Sequence, residues 1–89
     1  RIECKVTGRV QLVMYRDFTR RTGKALDLTG TVKNELDGSV TVIAEGEENK
    51  LQEFVRALKK GSMLARVDAV SVIWSDIRGE MTDFKILYY

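Results

Sequence analysis

The spacing of apolar positions switches between two and about 3.6 residues along this 89-residue chain, and each switch marks a change of element. Ile2, Cys4 and Val6 alternate with Glu3, Lys5 and Thr7, the pattern of a strand with one buried face that ends at Gly8. From about residue 17 to 26, Phe18, Thr22, Ala25 and Leu26 recur at helical spacing while Arg20, Arg21 and Lys24 turn outward, which predicts a helix laid on a sheet. Gly23 inside that helix costs up to ~1 kcal/mol relative to alanine, so it signals either close packing or simple tolerance. Residues 29–35 and 39–45 read as two strands around Leu36-Asp37-Gly38, where Asp-Gly supplies the positive φ a tight hairpin needs. Residues 47–60 put Leu51, Phe54, Val55 and Leu58 on one stripe, with Lys59, Lys60 and Gly61 as stop signals. Val70, Val72 and Trp74 then alternate with Ser71, Ile73 and Ser75. After a turn near Arg78-Gly79, a last strand is predicted over residues 83–89.

The resulting order is β-α-β-β-α-β-β. Its first six elements form a split βαβ unit, so the expected fold is α+β: a ferredoxin-like sandwich with two helices on one face of a mainly antiparallel sheet, plus a C-terminal fifth strand. Residues 1–89 fit one domain, with no proline, linker or internal repeat to divide them.

Composition narrows the chemistry. Fifteen basic and 13 acidic residues give a net charge of +2, so bulk charge nominates neither nucleic acid nor a membrane surface, and no apolar run approaches a membrane span. A nucleic-acid-binding version of the fold would need a stacking-aromatic strand motif that is absent here. One cysteine, Cys4, excludes an internal disulfide and a cysteine-based zinc site, and fits a cytoplasmic setting. The absence of histidine removes the usual general base and the usual metal ligand.

Arg16 is the residue that invites a ligand. It stands where a glycine-entered loop meets a helix start, an end that already favours negative charge through its unpaired N–H groups and dipole. An added guanidinium there suits a phosphate or carboxylate; the plainer reading is neutralisation by neighbouring Asp17. Asn34 closes the second strand on the parity of Val32, at the helix-covered side or its rim, where a carboxamide can hold a water; at a strand end it is equally a turn-former. Glu45, Glu47 and Glu48 flank a helix start and read as dipole complements, while Cys4 reads as core and Met14, Trp74, Tyr88 and Tyr89 as packing or strand-end aromatic and apolar groups.

Gly8-Arg9-Val10-Gln11-Leu12-Val13-Met14-Tyr15-Arg16 resembles the acylphosphatase signature G-R-V-Q-G-V-x-F-R, and Gly30-Thr31-Val32-Lys33-Asn34 is similar to its partner G-W-V-x-N. Asp37-Gly38-Ser39-Val40 and Phe84-Lys85-Ile86-Leu87-Tyr88 resemble two further family motifs, D-G-x-V and F-x-I-R-Y, in the same order. Four ordered motifs across the chain are far more specific than one loop pattern.

The resemblance implies a metal-free, cofactor-free hydrolase that cleaves the carboxyl-phosphate bond of small acyl phosphates, giving carboxylate and inorganic phosphate. It implies a cytoplasmic monomer with no nucleic-acid or membrane partner. By the same resemblance Arg16 and Asn34 occupy the catalytic positions. Arg16 and the N–H groups of Gln11, Leu12, Val13, Met14 and Tyr15 would bind phosphoryl oxygens, and the Asn34 amide would orient the attacking water. The chain departs from the family at Leu12, where a loop glycine is usual, and at Asp27, Thr31, Ser62 and Leu87. Leucine at positive φ costs ~1–2 kcal/mol, and its side chain is expected to cover or gate the cradle and reduce or alter activity. The alternative is an anion-binding or interaction module of the same fold without turnover.

Overall fold

The computed structural model describes residues 1–88, and Tyr89, the last position of the predicted final strand, lies outside them. The elements run β1 (Ile2–Arg9), α1 (Tyr15–Ala25), β2 (Thr29–Asn34), β3 (Val40–Glu45), α2 (Glu48–Lys60), β4 (Arg66–Trp74) and β5 (Phe84–Leu87). They build one five-stranded sheet in the order β4-β1-β3-β2-β5, antiparallel except where β5 runs parallel to β2. This is the expected ferredoxin-like arrangement with its fifth strand.

The alternation in β1 does what the sequence pattern requires: Ile2, Cys4 and Val6 are buried and pair across the sheet with Ala44, Val42 and Val40. The helices close that face with Leu51, Phe54 and Leu58 from α2 and Tyr15 from α1, and Phe54 meets Phe84 edge-on at 5.7 Å. Cys4 sits in this core, and burial pushes its thiol pKa up to about 12.

Three expectations shift. Helix α1 begins two residues earlier than its apolar spacing predicts, and its inward stripe is Tyr15, Thr19 and Gly23, with Ala25 exposed. The Tyr15 ring supplies the apolar mass and the Thr19 hydroxyl is satisfied by the Tyr15 carbonyl at 2.8 Å. Gly23 is there for close packing, because a Cβ would come within 2.5 Å of the Phe84 ring. Strand β4 begins at Arg66 rather than Val70; a bulge between Thr7 and Gly8 resets its register, so Val67 and Val70 both lean inward and the period-2 signal is erased. Gly8 is the residue that allows it, lying inside β1 at φ 121 with its Cα facing the Arg66 carbonyl.

Glu45 also departs from its reading as a dipole complement of α2. It is buried and accepts hydrogen bonds from Arg1 Nη1 (2.9 Å) and from the Arg78 and Gly79 backbone N–H groups (both 3.1 Å), pinning the segment between β4 and β5. Burial opposes its charge, but these donors outweigh it and hold the carboxyl below the usual carboxylate range.

Candidate active site

Between β1 and α1 the chain makes a short loop anchored by buried residues at both ends, Val10 and Tyr15. The Tyr15 hydroxyl donates to the Leu58 carbonyl at 2.8 Å, tying the start of α1 to the end of α2; burial raises its pKa well above the ordinary phenol value. Within the loop Leu12 (φ 61) and Met14 (φ 62) are left-handed while Gln11 and Val13 are not. Alternation of this kind turns successive N–H groups toward one side and forms an anion-binding concavity. Among the described residues, no backbone N–H from position 11 to 16 has a protein acceptor. The leucine therefore adopts the conformation a glycine would take. Its side chain, 98% exposed, stands out in solvent and does not fold over the loop, contrary to the expected covering of the cradle.

Arg16 falls in the first turn of α1 and Asn34 at the end of β2, and the fold brings both to one open cleft of about 310 Å³, with Leu12, Met14, Tyr15 and Tyr88. Gln11 reaches an adjoining hollow that Arg16 and Asn34 also line. Its side-chain amide donates to the Glu35 and Ser39 carbonyls, both at 2.8 Å, so it fastens the loop to the β2–β3 hairpin and its side chain is not available to an anion. Val13 is turned away from the cleft into a different hollow.

The charge pattern excludes the plain reading of Arg16. Asp17 gives its carboxylate oxygens to Arg20 (2.9 Å) and Arg21 (2.8 Å), hydrogen bonds that lower its pKa. Among the described residues no carboxylate lies within ion-pair distance of Arg16, whose guanidinium instead rests 4.9 Å from the centre of the Tyr88 ring. An unpaired guanidinium in a half-buried position is one that an anion would stabilise. Across the cleft, the Asn34 Oδ1 is buried and has no hydrogen-bond partner. Buried carboxamide oxygens are rarely left so, and this one is free to take a hydrogen bond from a small ligand.

Tyr88 is the cleft residue that sequence reading assigned to packing. The signal that would have found it is register: β5 pairs in parallel with β2 up to Lys33 opposite Leu87, which sets Tyr88 level with Asn34. Asp27, at φ 58 after α1, keeps the left-handed turn of the glycine it replaces and lies away from the cleft.

A fold of this order defines a small α+β domain that brings a loop of unpaired backbone N–H groups, an arginine and an asparagine to one cleft. The acylphosphatase family model matches residues 2–86. An acylphosphatase of Salinibacter ruber is 44% identical over 86 residues, covering 97% of this chain and 90% of its own. The crystal structure of acylphosphatase from Bacillus subtilis superposes with a TM-score of 0.94 at 41% identity, covering 98% of this chain and 97% of that one. A structure of an acylphosphatase from Coxiella burnetii does so with a TM-score of 0.83 at 31% identity, over 97% and 90% of the two chains. The chain belongs to the acylphosphatase family.

Proposed function

We propose that this member of the family hydrolyses acyl phosphates in the cleft between the 10–14 loop and the end of β2. The substrate's phosphoryl oxygens take the unpaired N–H groups of the loop and the Arg16 guanidinium, which neutralise and orient them. Asn34 Oδ1 accepts a hydrogen bond from a water and aims its lone pair at phosphorus. Attack forms the new P–O bond as the bond from phosphorus to the carboxylate oxygen breaks, releasing carboxylate and inorganic phosphate. The carboxylate leaves as a stable anion, so no acid is needed for it. Asp17, the cleft's one acidic side chain among the described residues, is held by two arginines and is a poor base, so the water's proton passes to a phosphoryl oxygen. Positioning and electrostatic stabilisation do the work.

The observation that carries this reading is the coincidence, in one cleft, of an unpaired Arg16 and a buried, partnerless Asn34 Oδ1. Inorganic phosphate, sharing the same groups, is expected to inhibit competitively. We take the protein to be a cytoplasmic monomer, in keeping with the family resemblance and a single unpaired cysteine. The test is hydrolysis of acetyl phosphate in the presence of a chelator: Asn34→Ala should cut kcat by about 10²-fold or more and leave phosphate affinity nearly unchanged, while Arg16→Ala should lose both. Phosphate binding without turnover in the unaltered protein would leave an anion-binding module instead.

A further inference from the structure

Most of the large apolar side chains left exposed stand at the loop end of the molecule. Leu12, Met14, Leu36, Met63, Leu64 and Tyr88 border the cleft or the hollows beside it, whereas Ile73, Trp74 and Ile77 lie on or just after β4. Exposed Met63 (99%) and Leu64 (64%) are the more telling because they follow α2 and are distant in sequence from the loop. With Val13, Met14 and Phe18 they line a hollow of about 310 Å³. Met14 belongs both to this hollow and to the anion cleft, so the two adjoin through one flexible side chain.

Resting on the phosphoryl site proposed above, we infer that this hollow is the acyl subsite, and that the chain prefers acyl phosphates whose acyl group is apolar and several carbons long. In-line displacement puts the leaving oxygen opposite the attacking water, so the acyl group departs on the side of the phosphoryl group away from Asn34. Among the described residues, two hollows share Met14 with the cleft and exclude Asn34. One is a groove in which Met14, Ile86 and Tyr88 are interleaved with Lys85 and with Arg20 and Lys24, which pair with Asp17 and Asp83 at 2.9 and 3.4 Å, so an apolar acyl group there would desolvate charged walls. The other is the Met14 and Met63 hollow, whose walls are mainly thioether and hydrocarbon surface, with Ser62 and an Arg21 already paired to Asp17 at its edge, and whose volume accommodates a short alkyl chain or a ring. Methionine's unbranched side chain fits such a role, since it can reshape around chains of different length.

The test separates acyl recognition from turnover by measuring both. Acetyl and hexanoyl phosphate have carboxylate leaving groups of nearly equal basicity, so their difference in kcat/KM reports contact with the chain. Acetylphosphonate and hexanoylphosphonate, which cannot be hydrolysed at the C–P bond, report binding alone. Each methylene fully removed from water contributes about fourfold, so partial burial of the four extra methylenes should favour hexanoyl by about 10- to 100-fold in both readouts. The double variant Met63→Ser/Leu64→Ser changes only exposed side chains; it should erase most of that preference and leave acetyl phosphate turnover unchanged. Equal affinity for the two phosphonates, or a preference that survives the double variant, overturns the inference and turns the apolar rim toward a macromolecular partner. Selective phosphonate binding with no hydrolysis of either acyl phosphate supports the subsite and instead refutes the hydrolase reading.

Discussion

Leu12→Gly should stabilise the protein, an unusual direction for deleting a large apolar side chain. The magnitude follows from two observations: the residue sits at φ 61, and its side chain is in solvent with nothing packed on it. Relief of the left-handed conformation returns about 1–2 kcal/mol, while the added freedom of glycine in the unfolded chain takes back about 0.5–1 kcal/mol. The middle of the two ranges leaves a net gain of about 0.5–1 kcal/mol, which corresponds to a rise in Tm of about 2–8 °C for a domain of this size. Leu12→Ala is the control. It removes the same side chain and keeps the strain, so its stability should stay within about 0.5 kcal/mol of the parent. Thermal unfolding followed by circular dichroism measures both. If Leu12→Gly melts no higher than Leu12→Ala, the leucine is not held in a strained conformation and the loop geometry described above is wrong.

Other positions test the packing and the latch. Gly23→Ala gains up to about 1 kcal/mol of helix propensity but drives a methyl into the Phe84 ring, so urea unfolding should show a net loss of about 1–2 kcal/mol; a gain would mean that Phe84 does not abut α1. Glu45→Gln should cost about 1–3 kcal/mol at neutral pH through weakened bonds to Arg1, Arg78 and Gly79. Because Glu45 has a depressed pKa in the folded state, that contribution is present above the unfolded carboxylate pKa of about 4.3 and fades as pH falls through the folded value. Parent and variant should therefore converge in stability at strongly acidic pH, and a constant gap from pH 7 downward would show that the charge on Glu45 is not what holds the segment.

The sheet topology was legible because β1, β3 and α2 each bury one regular stripe, and a regular stripe is what periodicity reports. The start of α1 was not, since its N-cap is Met14 in a left-handed conformation with no side-chain cap to announce it. The first half of β4 was hidden by the bulge opposite Gly8 and by exposed Arg66 and Asp68 on an edge strand. At the site, Arg16 and Asn34 could be nominated from motif spacing, but Asp17's commitment to Arg20 and Arg21 and the stacking of Tyr88 depend on contacts that spacing does not encode. Gln11 shows the same limit: a residue named for its backbone N–H turns out to hold the loop with its side chain. The left-handed state of Leu12 was expected from the glycine it replaces, but the outward direction of its side chain depends on the folded loop.

The claim on which the functional reading depends is that an anion is held by the 11–16 backbone together with Arg16. Titration of the ¹⁵N-labelled protein with inorganic phosphate, followed by amide chemical shifts, tests it directly. The largest shifts are expected at the amides of Leu12, Val13, Met14, Tyr15 and Arg16 and at the Asn34 side-chain amide, saturating along one binding curve that Arg16→Ala abolishes. Shifts confined to the groove of Arg20 and Lys24, or a loop that does not respond while phosphate binds, would contradict it.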